Sequence, residues 1–176
     1  IRKDTYSTLQ KARPPFGGFL AVSPKELTRI YVSPGPIYDA QKGMEVPART
    51  AKLLYAAGFR SGDIVVNSFA YHLVPAGLWF DDALRLIGAT IIPTGTGNSE
   101  LQAQVIRDLG VTGFVGTPSF LMTVVKAAER MGYDLRRDLK LRRAVVTAEP
   151  LPPSLRKSLE EDYGTVHGDL SLHTCL

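Results

Sequence analysis

The stretch Asp63-Ile64-Val65-Val66-Asn67, together with the segment that follows it, decides the fold class. Its apolar residues stand side by side instead of alternating with polar ones, which is typical of a strand buried on both faces of a sheet. A helical pattern over 78–87 ends at Gly88, and a second apolar run, Thr90-Ile91-Ile92-Pro93, follows at once. A strand, a helix and a strand in this order predict a parallel strand pair joined by a helix.

The same alternation continues on both sides of this unit. Apolar runs predict further strands at 29–33, 112–115 and 143–147, and helical spacing predicts helices at 46–57, 101–109, 119–131 and 153–163. Each of these helices is followed by a glycine, a frequent residue just beyond a helix C-terminus. We therefore predict an α/β fold of alternating βα units, with a mostly parallel sheet and helices on both faces. Residues 1–28 are predicted to form an irregular lead-in and 29–176 an incomplete α/β domain.

Composition excludes several classes of protein. The chain has 176 residues, of which 44% are apolar, enough for a buried core and too many for an intrinsically disordered protein. No run approaches the roughly 18 apolar residues of a membrane span, so no membrane partner is expected. The formal charge is +4, but positive and negative residues alternate, so nucleic acid is not an expected partner. Cys175 is the only cysteine, which excludes a disulfide framework and favours the cytoplasm.

Loops that leave the predicted strands are the candidate binding sites, because ligands of such sheets lie outside the carboxyl ends of the strands. Ser33 and Gly35 follow the first strand, where a hydroxyl and a close backbone approach suit a phosphate; the flanking prolines suit a rigid turn. Tyr71 and His72 follow the second strand. A histidine there suits a pocket wall or a proton carrier, and equally a plain loop residue.

Two later loops carry polar side chains in similar positions. Thr117 and Ser119 stand at a predicted helix start, where their hydroxyls suit either a polar ligand or a helix cap. Glu149 lies between Ala148 and Pro150, directly after a strand. A carboxylate is costly to bury without a partner, so Glu149 either caps the following helix or holds a ligand.

Motifs for other chemistries are missing from the sequence. There is no G-x-x-x-x-G-K-[ST] phosphate loop, no dinucleotide fingerprint and no G-x-S-x-G nucleophile elbow. His72, His167 and His173 lack the spacing of metal ligands, so no metal site is predicted.

In their order and spacing these loops resemble one family, the adenylate-forming acyl-CoA synthetases, and within it the phenylacetate–CoA ligase type. The stretches that carry the resemblance are Pro15-Phe16-Gly17-Gly18-Phe19-Leu20-Ala21-Val22, Arg29-Ile30-Tyr31-Val32-Ser33, Ala56-Ala57-Gly58 with Gly62-Asp63, Leu86-Ile87-Gly88-Ala89-Thr90-Ile91-Ile92-Pro93, Gly116-Thr117-Pro118-Ser119-Phe120 and Ala148-Glu149-Pro150-Leu151-Pro152. The resemblance implies that the chain is part of the large N-terminal domain of such an enzyme. It also implies ATP-dependent activation of a carboxylic acid, an aryl acid by the type, as an acyl-adenylate, followed by transfer to coenzyme A. ATP, Mg²⁺, coenzyme A and the acid would be the small-molecule partners.

The resemblance also implies roles for nine residues, in two groups. Those implied to bind the nucleotide are Ser33, Gly35, Ala148, Glu149 and Pro150. Those implied to line the acyl pocket are Tyr71, His72, Thr117 and Ser119.

The sequence departs from the family in two places. The Ser/Thr/Gly-rich phosphate loop ending in Gly-Lys-Pro is replaced by Pro34-Gly35-Pro36-Ile37-Tyr38-Asp39, with no lysine before Lys42. The glutamate that serves Mg²⁺ and the catalytic lysine are absent, although Gly168-Asp169 resembles a remnant of the former motif. We therefore expect the 176-residue chain to be inactive by itself, with its catalytic residues unknown.

Two alternatives to an acyl-CoA ligase remain open. One is an adenylating ligase that passes its acyl group to an acceptor other than coenzyme A, and the other is a degenerate, non-catalytic nucleotide- or acyl-binding module. Part of a domain also exposes apolar surface, so self-association, for instance as a homodimer, is expected.

Overall fold

The computed structural model describes residues 3–162 and 171–174. In chain order the elements are α1 (Lys3–Ala12), β1 (Arg29–Ser33), β2 (Ile37–Gln41), α2 (Glu45–Ala56), β3 (Ile64–Asn67), α3 (Ala76–Ile87), β4 (Thr90–Ile92), α4 (Ser99–Asp108), β5 (Gly113–Gly116), α5 (Pro118–Arg130), α6 (Leu135–Asp138), β6 (Arg143–Val146), α7 (Pro153–Lys157) and β7 (Ser171–Thr174). Strands β3 to β7 form a five-stranded sheet in the order β4-β3-β5-β6-β7, and every neighbouring pair is parallel. The predicted α/β class with a parallel sheet is confirmed.

The sheet is covered by helices on both faces, as its apolar strands require. On one face Val65, Val115 and Val145 pack with residues of α2 and α3. On the other face Val66 and Phe114 pack with residues of α4 and α5. Successive residues of a strand point to opposite faces, so a strand needs apolar residues at consecutive positions to serve both layers.

The strand order reverses direction between β3 and β5. The chain leaves β3 for α3 and the edge strand β4, then crosses β3 to reach β5. The helix after β3 therefore lies on one face, and the helix after β5 on the other. Such a reversal leaves a crevice at the carboxyl ends of the two neighbouring strands, which is the usual ligand position in open α/β sheets.

The first predicted strand does not belong to this sheet. β1 pairs with β2 in an antiparallel hairpin, with Ser33 opposite Ile37, so assigning 29–33 to the parallel alternation was wrong. The Pro34-Gly35-Pro36 turn lacks two backbone N–H donors and returns the chain on itself. The hairpin is held against α3 by an ion pair between Arg29 and Asp82.

Residues 1–28 are not wholly irregular. Lys3–Ala12 forms a helix, and Pro24–Glu26 forms a short 3₁₀ turn with a capping box at its start. The side-chain amide of Gln10 donates to the carbonyl of Tyr38 and accepts from its N–H, both at 2.8 Å. The helix is polar and gains its stability from these contacts to the hairpin, which explains why hydrophobic spacing did not predict it.

Three further differences concern short elements. The predicted helix 153–163 is α7 followed by a single π-helical segment, Ser158–Asp162. β2, α6 and β7, of four or five residues each, were not predicted. His167, Gly168-Asp169 and Cys175 lie outside the described residues. Among the described helices none is long and apolar enough to cross a membrane.

Candidate functional site

The crevice between β3 and β5 is closed at its base by backbone contacts. The N–H and the hydroxyl of Ser68 both donate to the carbonyl of Val115, at 2.9 and 3.1 Å. A Cβ atom at Gly116 would lie 2.0 Å from the Ser68 hydroxyl oxygen, so only glycine fits there. The two strand ends are thus fixed in close contact.

Asn67 organises the loop that leaves β3. Its side chain is fully buried, and its amide nitrogen donates to the hydroxyl of Tyr71 at 2.8 Å and to the carbonyl of Gly77 at 2.9 Å. Its amide oxygen accepts the N–H of Phe69 at 3.2 Å. The buried strand end therefore fixes both ends of the 67–77 loop.

The hydroxyl of Tyr71 continues this network, donating to Asp81 on α3 at 3.0 Å. Burial raises the pKa of Tyr71 far above its ordinary value, and the negative charge of Asp81 raises it further. Tyr71 is thus a neutral structural link between the loop and α3, and its hydroxyl has two protein partners.

Glu149 connects the loop after β6 to the start of α5. One carboxylate oxygen accepts the N–H of Ser119 at 3.0 Å and the hydroxyl of Ser119 at 2.5 Å. The hydrogen bond from the Ser119 hydroxyl lowers the pKa of Glu149, with a further contribution from Thr117. Thr117 itself caps α5, its hydroxyl oxygen accepting the N–H of Phe120 at 3.3 Å.

This cluster faces solvent. Ser119, Ala148, Glu149 and Pro150 are all exposed, and Ala148 has a left-handed backbone with φ of 74°. A left-handed alanine is strained, and such strain concentrates at ligand sites and turns. The exposed hydroxyls, carboxylate and turned backbone form a polar rim at the ends of β5 and β6.

Ser33, Gly35 and His72 line one cavity of about 380 Å³ between the hairpin tip and the loop after β3. The remaining lining residues are Val32, Pro34, Pro36, Ala70, Leu73 and Val74, so the walls are mainly apolar. The N–H of Val32 donates to the carbonyl of Leu73 at 2.8 Å and joins the two walls. His72 is exposed at the mouth of this cavity, and Tyr71 is not among its lining residues.

The hairpin tip does not have the donors that a polyphosphate requires. The hydroxyl of Ser33 donates to the carboxylate of Asp39 at 2.5 Å, which places a negative charge beside the tip. Pro34 and Pro36 have no N–H, and the carbonyls of Gly35 and Pro36 accept from the hydroxyl of Ser7. The tip is therefore rich in acceptors, and the phosphate role that the resemblance implies for Ser33 and Gly35 stays a prediction.

The structure divides the nine sequence-predicted residues into separate groups. Ser33, Gly35 and His72 share a cavity; Thr117, Ser119 and Glu149 share hydrogen bonds with Ala148 and Pro150 adjacent; and Tyr71 belongs to the Asn67 network. Sequence reasoning missed Asp39 and Asp81, the acidic partners of Ser33 and Tyr71. Asp39 lies on a five-residue strand and Asp81 in the middle of α3, and neither position carries a sequence signal that identifies its partner. Within the described residues there is no group of three His, Cys, Asp or Glu side chains that could hold a metal ion.

Solved structures of adenylate-forming ligases share this architecture. 2-Hydroxyisobutyryl-CoA ligase, in its postadenylation state with its acyl-AMP bound, matches 99% of this chain with a TM-score of 0.90 at 22% identity. A long-chain-fatty-acid–CoA ligase from Archaeoglobus fulgidus matches 78% of the chain with a TM-score of 0.56 at 22% identity. The matched regions are 38% and 28% of those chains. The fold is thus that of an adenylate-forming ligase domain.

Sequence relatives narrow the class. A phenylacetate–coenzyme A ligase of Pseudomonas putida is 35% identical over 157 residues, covering 85% of this chain. That of Escherichia coli K12 is 31% identical over 179 residues, covering 97% of this chain. The chain belongs to the adenylate-forming acyl-CoA synthetases, of the phenylacetate–CoA ligase type. No family model matches the chain. The chain spans 35% and 41% of the lengths of these two relatives.

Proposed function

We propose that this chain is part of an acid–thiol ligase that activates a carboxylic acid with ATP and transfers the acyl group to coenzyme A. In the first step a carboxylate oxygen attacks the α-phosphorus of ATP and pyrophosphate leaves. In the second step the coenzyme A thiolate attacks the acyl carbon and AMP leaves with the bonding electron pair. The observation that carries the proposal is the 31–35% identity to phenylacetate–CoA ligases over most of the chain.

An aryl acid is the proposed substrate, bound in the cavity that His72 lines. The volume of about 380 Å³ lies in the range of small-molecule pockets, and the proline, valine and leucine walls suit a ring. His72 at the mouth is the polar group available to orient the carboxylate. Thr117 and Ser119, which the resemblance assigns to the acyl pocket, are not among the lining residues of this cavity. Ser119 is hydrogen-bonded to Glu149, and we propose instead that the two hydroxyls and this carboxylate contact the adenosine part of the acyl-adenylate.

Groups that grip the triphosphate and Mg²⁺ must come from outside the described residues. The hairpin tip lacks the necessary donors, and the described residues contain no metal cluster. The chain alone is therefore proposed to be inactive, and Mg²⁺ is part of the proposal only for the whole enzyme.

The test begins with the intact mass of the protein as its source cell makes it, because a mass well above 19.2 kDa identifies a longer enzyme. Acid-dependent exchange of pyrophosphate into ATP is then measured on that protein with arylacetic, aliphatic and amino acids. Exchange with the aryl acids supports the proposal, and its absence with every acid refutes it.

Substitution of His72 sharpens the test. His72→Ala is expected to raise the KM for the acid about tenfold and to leave the KM for ATP unchanged, because the side chain lies at the acyl cavity. Gln104→Ala, an exposed position on α4, is the matched control. Equal KM values for the acid in both variants would show that His72 does not contribute to binding of the acid.

A degenerate binding module is the second candidate, and the acceptor-rich hairpin tip favours it. A non-hydrolysable acyl-adenylate analogue distinguishes the two, since it needs no pyrophosphate grip. Binding of the analogue without exchange activity in the full-length protein indicates a module. Transfer of the acyl group to an amine or a carrier thiol instead of coenzyme A indicates the third candidate, an adenylating ligase with another acceptor.

We also propose that the protein is cytoplasmic and self-associates as a homodimer. Tyr55 and Leu86, both more than half exposed, line an apolar cavity between α2 and α3 that a second copy would cover. Size-exclusion chromatography with light scattering tests the dimer, and fractionation of the source cell tests the location. A monodisperse monomer at micromolar concentration would count against self-association.

A further inference from the structure

A second and larger cavity lies between the hairpin, α1, the 16–22 segment and the start of α3. Its volume is about 640 Å³, within the range of cavities that enclose small ligands. The residues that line it are Tyr6, Phe16, Phe19, Leu20, Ala21, Val22, Leu27, Ser33, Tyr38, Asp39, Ala40, Lys42, Val46, Pro75 and Trp79. None of the functional roles described above uses this cavity, which we call the hairpin cavity.

Aromatic rings form much of its wall. The rings of Tyr6 and Phe19 are 5.1 Å apart between centroids, and the Phe19 side chain is 42% exposed. The indole N–H of Trp79 donates to the side-chain oxygen of Gln41 at 3.0 Å, which fixes the ring. Aromatic faces carry negative potential and attract organic cations, and they also pack against apolar bodies.

Two charged side chains lie in the wall, Asp39 and Lys42. The Asp39 carboxylate accepts a hydrogen bond from the neutral Ser33 hydroxyl at 2.5 Å, and no cation among the described residues pairs with it. The ammonium of Lys42 is paired with Glu26 at 2.6 Å. Asp39 is thus the charged group of this wall that has no ion-pair partner among the described residues.

We propose that the hairpin cavity binds a small organic ammonium, with a primary amine on a short chain and an aromatic body. The ammonium would donate to the Asp39 carboxylate, and the body would pack among Tyr6, Phe19 and Trp79. A carboxylic acid of the same shape is repelled by Asp39, so this site is distinct from the proposed acyl cavity in the charge of its ligand.

Trp79 is the only tryptophan of the chain, so its emission reports on this cavity. The full 176-residue chain is titrated with 2-phenylethylamine, 2-phenylethanol and 3-phenylpropionate at neutral pH. We expect a saturable change in Trp79 emission with the amine, at a Kd roughly tenfold below that of the alcohol, the usual gain of a charge-assisted hydrogen bond. No saturation is expected with the carboxylate. Equal affinity for amine and alcohol, tighter binding of the carboxylate, or no saturable change with any probe would overturn the proposal.

Substitution of Asp39 tests whether this carboxylate, and not the overall charge of the chain, attracts the amine. Asp39→Asn keeps an oxygen for the Ser33 hydroxyl and is expected to weaken the amine about tenfold and leave the alcohol unchanged. Glu100→Gln removes an exposed carboxylate in the first turn of α4 and is the control, with unchanged binding expected. If Asp39→Asn does not fold, the salt dependence of the original chain decides. Amine binding must weaken between 0.05 and 0.5 M salt (roughly a Debye length of 14 to 4 Å) while alcohol binding does not; the same dependence for both would overturn the proposal.

Discussion

The carboxylate of Glu149 accepts two hydrogen bonds from Ser119, one from the N–H and one from the hydroxyl, and so joins the end of β6 to the first turn of α5. These residues are 30 positions apart in the chain. A carboxylate at a helix N-terminus is favoured by the free N–H groups and the helix dipole. The contact therefore has both a structural and an electrostatic role at the rim of the candidate site.

Glu149→Gln is expected to lower the free energy of unfolding at pH 7 by about 0.5 kcal/mol, the size of an exposed charge at a helix start. The folded-state pKa of Glu149 is lowered, chiefly by the Ser119 hydroxyl. The contribution of the Glu149 carboxylate to the free energy of unfolding is therefore complete above the unfolded-state pKa and is lost as the pH falls through the folded-state pKa. Urea unfolding between roughly pH 3 and pH 7 checks this, since the difference between the two proteins must shrink as the pH falls. A difference that stays constant over this range would contradict the prediction.

Asn67→Ala is expected to destabilise the chain by about 3 kcal/mol. The substitution removes three hydrogen bonds and leaves the buried N–H of Phe69 without the acceptor that Asn67 provides. Tyr71→Phe, which removes only the hydroxyl, is expected to cost about 1 kcal/mol. Denaturant unfolding of both variants measures the two costs. Similar costs would show that the hydrogen bonds of Asn67 to the backbone contribute little to its stabilising effect.

Gly77→Ala is expected to cost about 3 kcal/mol, because a Cβ atom would lie 2.3 Å from the carbonyl oxygen of Ala70. Backbone atoms cannot move aside as the end of a side chain does. Gly132→Ala is the control, since nothing lies within 4 Å there and only its φ of 77° resists a side chain. That variant should cost about 1 kcal/mol by thermal or denaturant unfolding. A smaller cost at Gly77 than at Gly132 would refute the packing argument.

Arg29→Leu is expected to destabilise the chain by about 3 kcal/mol, because Asp82 is 8% exposed and would lose its cation. The hydrogen bond that Arg29 donates to Asp82 raises the pKa of Arg29, so the guanidinium stays charged throughout the accessible pH range. The double variant Arg29→Leu with Asp82→Leu should recover most of this loss, as apolar residues of similar volume replace a buried pair well. A double-mutant cycle by urea unfolding measures the coupling energy between Arg29 and Asp82. If the costs of the two single substitutions simply add, the prediction is wrong.

Long apolar segments made most of the parallel sheet predictable. The sequences of β3, β5 and β6 place Val, Ile and Phe at consecutive positions, and the glycines after the helices mark their ends. The hairpin was misassigned because β1 by itself has the composition of a central strand, whereas its pairing depends on β2 beyond the proline turn. Helix α1 has no apolar stripe, and the contacts of Gln10 and Ser7 to the hairpin are tertiary.

The candidate site was predictable only as a set of loops. The position of Glu149 after a strand identified it as a ligand or a cap, and the structure supplies Ser119 as its partner. Sequence could not pair Ser33 with Asp39 or Tyr71 with Asp81, because each contact depends on how a hairpin turns or a loop closes. The roles of the nine residues in binding stay predictions, of which His72→Ala tests one.

Ser33 lies in the walls of both the proposed acyl cavity and the hairpin cavity. Its one hydroxyl proton is directed to Asp39, so a carboxylate that drew this proton to the acyl side would leave Asp39 without that hydrogen bond. If both proposals hold, occupancy of the two cavities is thermodynamically linked: an acid in one strengthens an ammonium in the other, and the ammonium strengthens the acid by the same factor. A side chain with a single proton to donate can in this way couple the affinities of two neighbouring ligands of opposite charge.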